Sequence, residues 1–222
     1  MSVRKQTFKD TFPLPESHRA AEFLVNTWER IRISKADYIK KLKEPKVTET
    51  LAFYLKRLKT EARLTGDWTY EIPSLETEPE ETPVVRTRKD IRYFSNAGNE
   101  VLELVFEFKF LKPTKSSIKI YMGADGMGRF ADGHYCRDSN QAAMVALIDV
   151  EKEQCVTKLK DSFNDDICTQ LKMRGNGTGG YLTSPSALFE TLAEFDTEHE
   201  RPAVNGIVNT TKLAHIFLSM PN

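Results

Sequence analysis

The sequence predicts an α/β fold, with helices packed on a mixed β-sheet. Three observations carry that expectation. Val101 to Leu111 (VLELVFEFKFL) repeats with a period of two, the mark of a strand with one buried face. Gln141 to Val150 (QAAMVALIDV) is apolar enough for a buried central strand. Between Glu16 and Leu64, apolar residues recur at three- and four-residue steps, as they do on amphipathic helices.

Taken in order, residues 1–13 read as a polar leader. From Glu16 to Lys43 the stripe Ala20, Phe23, Leu24, Trp28, Ile31 predicts a helix, and Ser34 is placed to cap a second, short one through Leu42. Val47 to Leu64 predicts a third helix, stopped by Thr65-Gly66. Asp67 to Ile72 suits a short strand. The acidic, proline-containing stretch Pro73 to Pro83 has no apolar periodicity and reads as an excursion between strands. Asp90 to Leu111 then forms a hairpin, turning within Ser95 to Glu100. Ile118 to Met122 reads as another strand or a strand extension. Gly123-Ala-Asp-Gly126-Met-Gly128 opens a short helix-like stretch with Arg129, Phe130 and Tyr135. Past the buried strand, Glu151 to Met173 is helical and charged, and Arg174 to Gly180 is a glycine-rich loop. Ala187 to Arg201 is ambiguous between helix and strand, and Lys212 to Ser219 is a final strand.

The hairpin gathers ionisable groups. Leu102, Leu104, Phe106, Phe108 and Phe110 share one side; Val101, Glu103, Val105, Glu107 and Lys109 share the other. Glu107 and Lys109 therefore lie side by side, roughly 6.5–7 Å apart by strand rise. Pairing Ser95 with Glu100 sets Ile91 opposite Leu104 and Asp90 opposite Val105. Asp90 is then diagonal to Glu103 and Glu107, about 7–8 Å away on the same face. A slip of one residue would bury Asp90 and expose Ile91. Neighbouring carboxylates repel unless a cation lies between them, and such oxygen ligands suit Mg2+ or Mn2+. A metal held there polarises a phosphodiester and activates a bound water. The adjacent lysine orients or deprotonates that water, or neutralises charge on the phosphate.

Asp90, sixteen residues, then Glu107-Phe108-Lys109 resembles the metal-binding signature of the PD-(D/E)XK nuclease superfamily, the restriction-endonuclease-like fold. The proline usual before the aspartate is replaced by Lys89. The predicted order of helix, strand, two-stranded hairpin, helix and buried strand also resembles that superfamily's α-β-β-β-α-β core. The resemblance spans Val47 to Val150, about half the chain. It implies a restriction-endonuclease-like core over 44–150, an N-terminal helical extension over 1–43, and C-terminal helix and strands over 151–222, in one domain. It implies Asp90 and Glu107 as metal ligands with the Phe108 carbonyl, Lys109 as the catalytic lysine, and Mg2+ or Mn2+ as cofactor. Glu103 would be a second-shell or second-metal group. In many members the first core helix carries a glutamate near the site; the nearest matches are Glu44 and Glu49, and neither is assigned.

The formal net charge is zero, so nucleic-acid contact must come from local patches. Arg86, Arg88, Lys89, Arg92, Lys109, Lys112, Lys115 and Lys119 form one around the proposed site, and Lys112, Arg129 and Arg88 are the candidate phosphate contacts. Cys136, Cys155 and Cys168 give no disulfide or zinc framework and suggest a reducing, cytoplasmic setting. No apolar run approaches a membrane span. The four histidines lack metal-ligand spacing and are expected to be structural. Neither glycine-rich stretch is a nucleotide fingerprint. The reading is a metal-dependent endonuclease acting on nucleic acid, DNA ahead of RNA, in the defence or restriction setting the resemblance implies. The alternatives are a nuclease-fold subunit that binds nucleic acid or a protein without cutting, and an assembly subunit in a homodimer or larger complex.

Overall fold

A computed structural model describes residues 14–70, 73–75, 86–88, 90–96, 101–133, 135, 139–204 and 207–221. The predicted leader, most of the acidic stretch and the tip of the hairpin lie outside these residues. So do Lys89, His134, Cys136 and the side chain of Arg88.

The chain opens with α1 (Leu14–Ser34), α2 (Ala36–Ile39) and α3 (Glu44–Leu58), then a 3-10 turn, Lys59–Ala62. Ser34 ends α1 instead of capping α2, whose N-cap position is Lys35. α3 starts earlier than its apolar stripe, because Pro45 in its first turn presets the backbone. β1 (Asp67–Tyr70) follows, then β2 (Pro73–Leu75) and β3 (Arg86–Arg88), which pair with each other. The acidic stretch is therefore entered and left through a small antiparallel ladder of its own.

β4 (Ile91–Ser95) and β5 (Leu102–Phe110) form the predicted hairpin, with the register moved by two residues. Ile91 faces Phe106 and Tyr93 faces Leu104. A shift of two preserves which side chains share a face, so the apolar pattern accepts either pairing. Residues Ile118 to Met122 are helical, not a strand: α4 spans Lys115–Met122 and buries Ile118, Tyr121 and Met122, a three- and four-residue spacing. Thr114 caps it by accepting from the Ser117 amide. The helix is required there, because β6 (Gln141–Ile148) runs parallel to β5 and a parallel pair needs a crossover. α5 (Gly128–Ala131) completes that crossover. The predicted helix over 151–173 is two, α6 (Lys152–Lys160) and α7 (Asp165–Gln170), the second started by Asn164. β7 (Leu182–Thr183), β8 (Phe195–Val204) and β9 (Ile207–Ser219) finish the fold, and the ambiguous 187–201 segment divides into turns over 187–194 and strand from Phe195.

Apart from the β2–β3 ladder, the described strands form one sheet in the order β1-β4-β5-β6-β9-β8-β7. β5, β6 and β9 are parallel at the centre, and the outer pairs are antiparallel. Every residue of β6 is buried, as the apolar run predicts. One face packs under α1 and α3 through residues such as Leu24, Trp28, Leu51 and Leu55. The other packs under α4, α5 and α6 through Tyr121, Phe130 and Leu159. The arrangement is a mixed sheet between two helical layers, and α1 shares the main core instead of extending from it. Its Trp28 also donates to the Ser219 carbonyl of β9 at 3.0 Å.

Helices on both faces correct one expectation. The second face of β5 is not solvated: Val105, Glu107 and Lys109 are all buried. His199 and His215 are buried as well, in a chain of hydrogen bonds. His199 Nδ1 lies 2.8 Å from the Leu171 carbonyl, so it must donate. Its Nε2 then accepts from Thr197, at 2.8 Å. Thr197 in turn accepts from His215 Nε2 at 3.1 Å, leaving His215 Nδ1 to accept from Tyr121 at 3.0 Å. Both rings are neutral in this arrangement, and burial lowers His199 to about 4 and His215 well below its ordinary value. They tie α4 to β8 and β9, a structural role.

Candidate metal centre

The ladder between β4 and β5 ends at the Ile91–Phe106 pair, whereas β5 runs on to Phe110. The amides of Phe108 and Phe110 therefore lie beyond the reach of β4 and need other acceptors. Two carboxylates supply them. Asp90, one residue before β4, accepts from the Phe108 amide at 2.9 Å. Glu44, in the first turn of α3, accepts from the Phe110 amide at 2.8 Å. Strand termination thus draws two acids to one open edge.

Lys109 joins them. Its ammonium donates to Glu107 Oε1 at 2.7 Å and to the Phe108 carbonyl at 2.9 Å, and it lies 3.5 Å from Glu44 Oε1. The Glu107 side chain is only 1% exposed. Burial, then repulsion from Asp90, pushes its carboxyl up to about 7, with Lys109 and Arg129 pulling the other way. Burial also raises Asp90, against Lys109 and the Phe108 amide. Burial would lower Lys109, but Glu107 and Glu44 outweigh it and hold the amine above its usual range.

Glu44, which the sequence offered beside Glu49 without assigning either, is the acid at the centre. The signal was present: an acid followed by proline at a helix start, where the side chain is set by the chain entering the helix. Glu49 instead pairs with Lys46 at 2.6 Å on the exposed surface. Glu103 is not part of the centre. It shares the face of Glu107 but lies four residues back, roughly 13 Å by strand rise, and pairs with Arg92 at 2.8 Å.

Of the candidate phosphate contacts, Arg129 is near enough for its charge to pull the Asp90 and Glu107 carboxyls down, the weakest of the influences on each. Lys112 is farther along, pairing with Asp149 at 3.0 Å on the rim of a cleft of about 380 Å3 shared with Lys40 and Phe110. Lys115 and Lys119 are exposed on α4.

Whether a cation suits these residues turns on Glu107. Its Oε2 is buried and has no hydrogen-bond partner among the described residues. Leaving a buried carboxylate oxygen unsatisfied is costly. With Asp90, Glu44 and the Phe108 carbonyl alongside, the donors are all hard oxygens, the set that Mg2+ or Mn2+ takes. Among the described residues no three acids, histidines or cysteines already stand close enough to enclose an ion. The Lys109 ammonium holds that space, a monovalent cation bonded to the same oxygens. The residues fit the ion on condition that this amine gives way. No protein-family model, curated protein or solved structure matches the chain.

Proposed function

We propose that the chain is a metal-dependent phosphodiesterase acting on nucleic acid, with its centre at the open end of β5. The observation that carries this reading is the buried, unpaired Glu107 Oε2 beside Asp90 and a lysine. The order α3, β1, β4, β5, crossover helix, β6, with those four strands adjacent in that sequence, supports the restriction-endonuclease-like reading. Asp90, Glu107 and the Phe108 carbonyl would hold Mg2+ or Mn2+, with Glu44 as a further acid at the edge. Such an ion lowers the pKa of bound water and offsets charge on a phosphoryl oxygen.

The chain's own groups divide the remaining work. Glu107 and Asp90 are fixed by burial and by the Phe108 amide, so they need no reorganisation to receive a cation. Lys109 already donates to three oxygens, and a donating ammonium suits stabilising charge that develops on phosphate. The buried ring of Phe108 anchors the strand from the opposite face, keeping Glu107 and Lys109 in register.

Plasmid cleavage tests this. Wild-type protein should cut in the presence of Mg2+ or Mn2+ and not in EDTA. Glu107→Ala and Lys109→Ala should lose at least about a hundredfold in rate, since general acid–base and electrostatic groups each contribute on that order. Circular dichroism should report an intact fold in both. Cutting by both variants at the wild-type rate overturns the assignment. A second reading, a binding subunit of the same fold that does not cut, is favoured by the ammonium seated between the acids. It predicts no Mn2+ uptake by calorimetry alongside a salt-sensitive DNA complex.

A further inference from the structure

The glycine-rich stretch Gly123-Ala-Asp-Gly126-Met-Gly128 matches no nucleotide-binding fingerprint, and its structure shows another use. It is a tight backbone knot between α4 and α5. The Gly126 amide donates to Gly123 at 2.9 Å, Met127 to Tyr121 at 3.0 Å, and Gly128 to Gly123 at 3.0 Å. A β-carbon on Gly126 would stand 2.0 Å from the Tyr121 carbonyl oxygen, so only glycine fits. The knot delivers Arg129 as the second residue of α5.

Three contacts then fix the arginine. Its guanidinium donates to the Tyr135 hydroxyl, lies 5.3 Å from that ring's centroid, and donates to Asp125 at 3.0 Å. The Tyr135 amide closes the segment by donating to the Arg129 carbonyl at 3.2 Å. Tyr135 is fully buried, in the same cluster as Val105, which shares the β5 face of Glu107. Asp132 is tethered to Lys172 at 2.9 Å. An exposed arginine loses side-chain entropy when it binds an anion, and a planar fork held in advance loses less.

We infer that Arg129 is the phosphate clamp of the centre and that Tyr135 is its positioning residue, acting through the guanidinium. The substrate class, a phosphodiester backbone, rests on the function proposed above. The clamp makes residues 123–133, with Tyr135, one pre-set arm: glycines bend it, Asp125 and Tyr135 hold the guanidinium, and Arg129 takes the phosphate.

The test is a double-mutant cycle on binding of a labelled DNA duplex, measured by anisotropy in EDTA across a KCl series. Arg129→Ala should weaken binding about tenfold and reduce the salt slope by about one. Tyr135→Phe keeps the ring and removes the hydroxyl, and should weaken binding about threefold. In the Arg129→Ala background it should cost nothing further, because its effect passes through the arginine. A structural defect would add in both backgrounds, and that additivity overturns the positioning role. If Tyr135→Phe fails to fold, Asp125→Asn, on a side chain 82% exposed, takes its place in the cycle. Should the wild type bind with an Arg129-dependent slope yet never cut with Mg2+ or Mn2+, the clamp stands and the nuclease reading falls. Should it cut while Arg129→Ala binds with an unchanged slope, the clamp falls alone.

Discussion

Glu107 concentrates the physical tension of the molecule. A carboxyl raised from 4.5 to about 7 favours its protonated form in the folded state. Its contribution to stability is complete below about pH 4.5, the unfolded value, and is lost as pH rises through about 7. The two buried histidines act in the opposite sense, since their lowered pKa values remove stability as pH falls below about 6.5. The pH dependence of the difference between wild type and Glu107→Gln reads the carboxyl together with the Lys109 amine it bonds. In EDTA, raising the pH from 5 to 8 should lower the wild-type midpoint by several degrees relative to the variant. That gap reflects on the order of 2–3 kcal/mol. A difference independent of pH would show that Glu107 is not held protonated by its surroundings. At this scale the sequence was partly readable. Alternation placed Glu107 and Lys109 on one face, and parity alone put Asp90 with them. Glu44 was not readable from periodicity, because its position depends on where a strand ends and not on which side of a helix it occupies.

Elements explain why the acids meet at all. β4 is shorter than β5, and the exposed amides at the end of β5 recruit Asp90 and Glu44 as acceptors. Local pattern could not give the pairing, since the residues that close the hairpin turn carry no register-fixing apolar signal and two alignments bury the same side chains. It also mistook α4 for a strand: Ile118 and Ile120 alternate with polar neighbours, yet Ile120 is 59% exposed and the burial follows Ile118, Tyr121 and Met122. The crossover between parallel strands, a property of topology, decided the matter. The knot after α4 carries its own prediction. Gly126→Ala drives a β-carbon into the Tyr121 carbonyl and should destabilise the protein by about 2–4 kcal/mol. Thermal melts read this directly, and an unchanged midpoint would mean the knot is looser than described.

For the whole molecule, the run 141–148 and the apolar face of β5 announced a mixed sheet with a buried central strand and helices packed on one face of β5. What the sequence left hidden was the second helical layer over Glu107 and Lys109. Short helices such as α5 have no periodic signature, and the face of β5 they cover reads as solvated. That layer changes the chemistry, because the same two residues on an open sheet face would be an ordinary surface ion pair worth little. On this packed face they become a buried pair beside Asp90. No helix among the described residues is long and apolar enough to cross a membrane. The proposed function requires that the open end of β5 accept a divalent ion where Lys109 now bonds. Anomalous diffraction from crystals soaked in Mn2+ tests it most directly. A metal-binding centre gives a peak bounded by Asp90, Glu107 and the Phe108 carbonyl, with the Lys109 amine moved away from Glu107. A soaked crystal with Lys109 still bonded to Glu107 and no peak between the acids would contradict it.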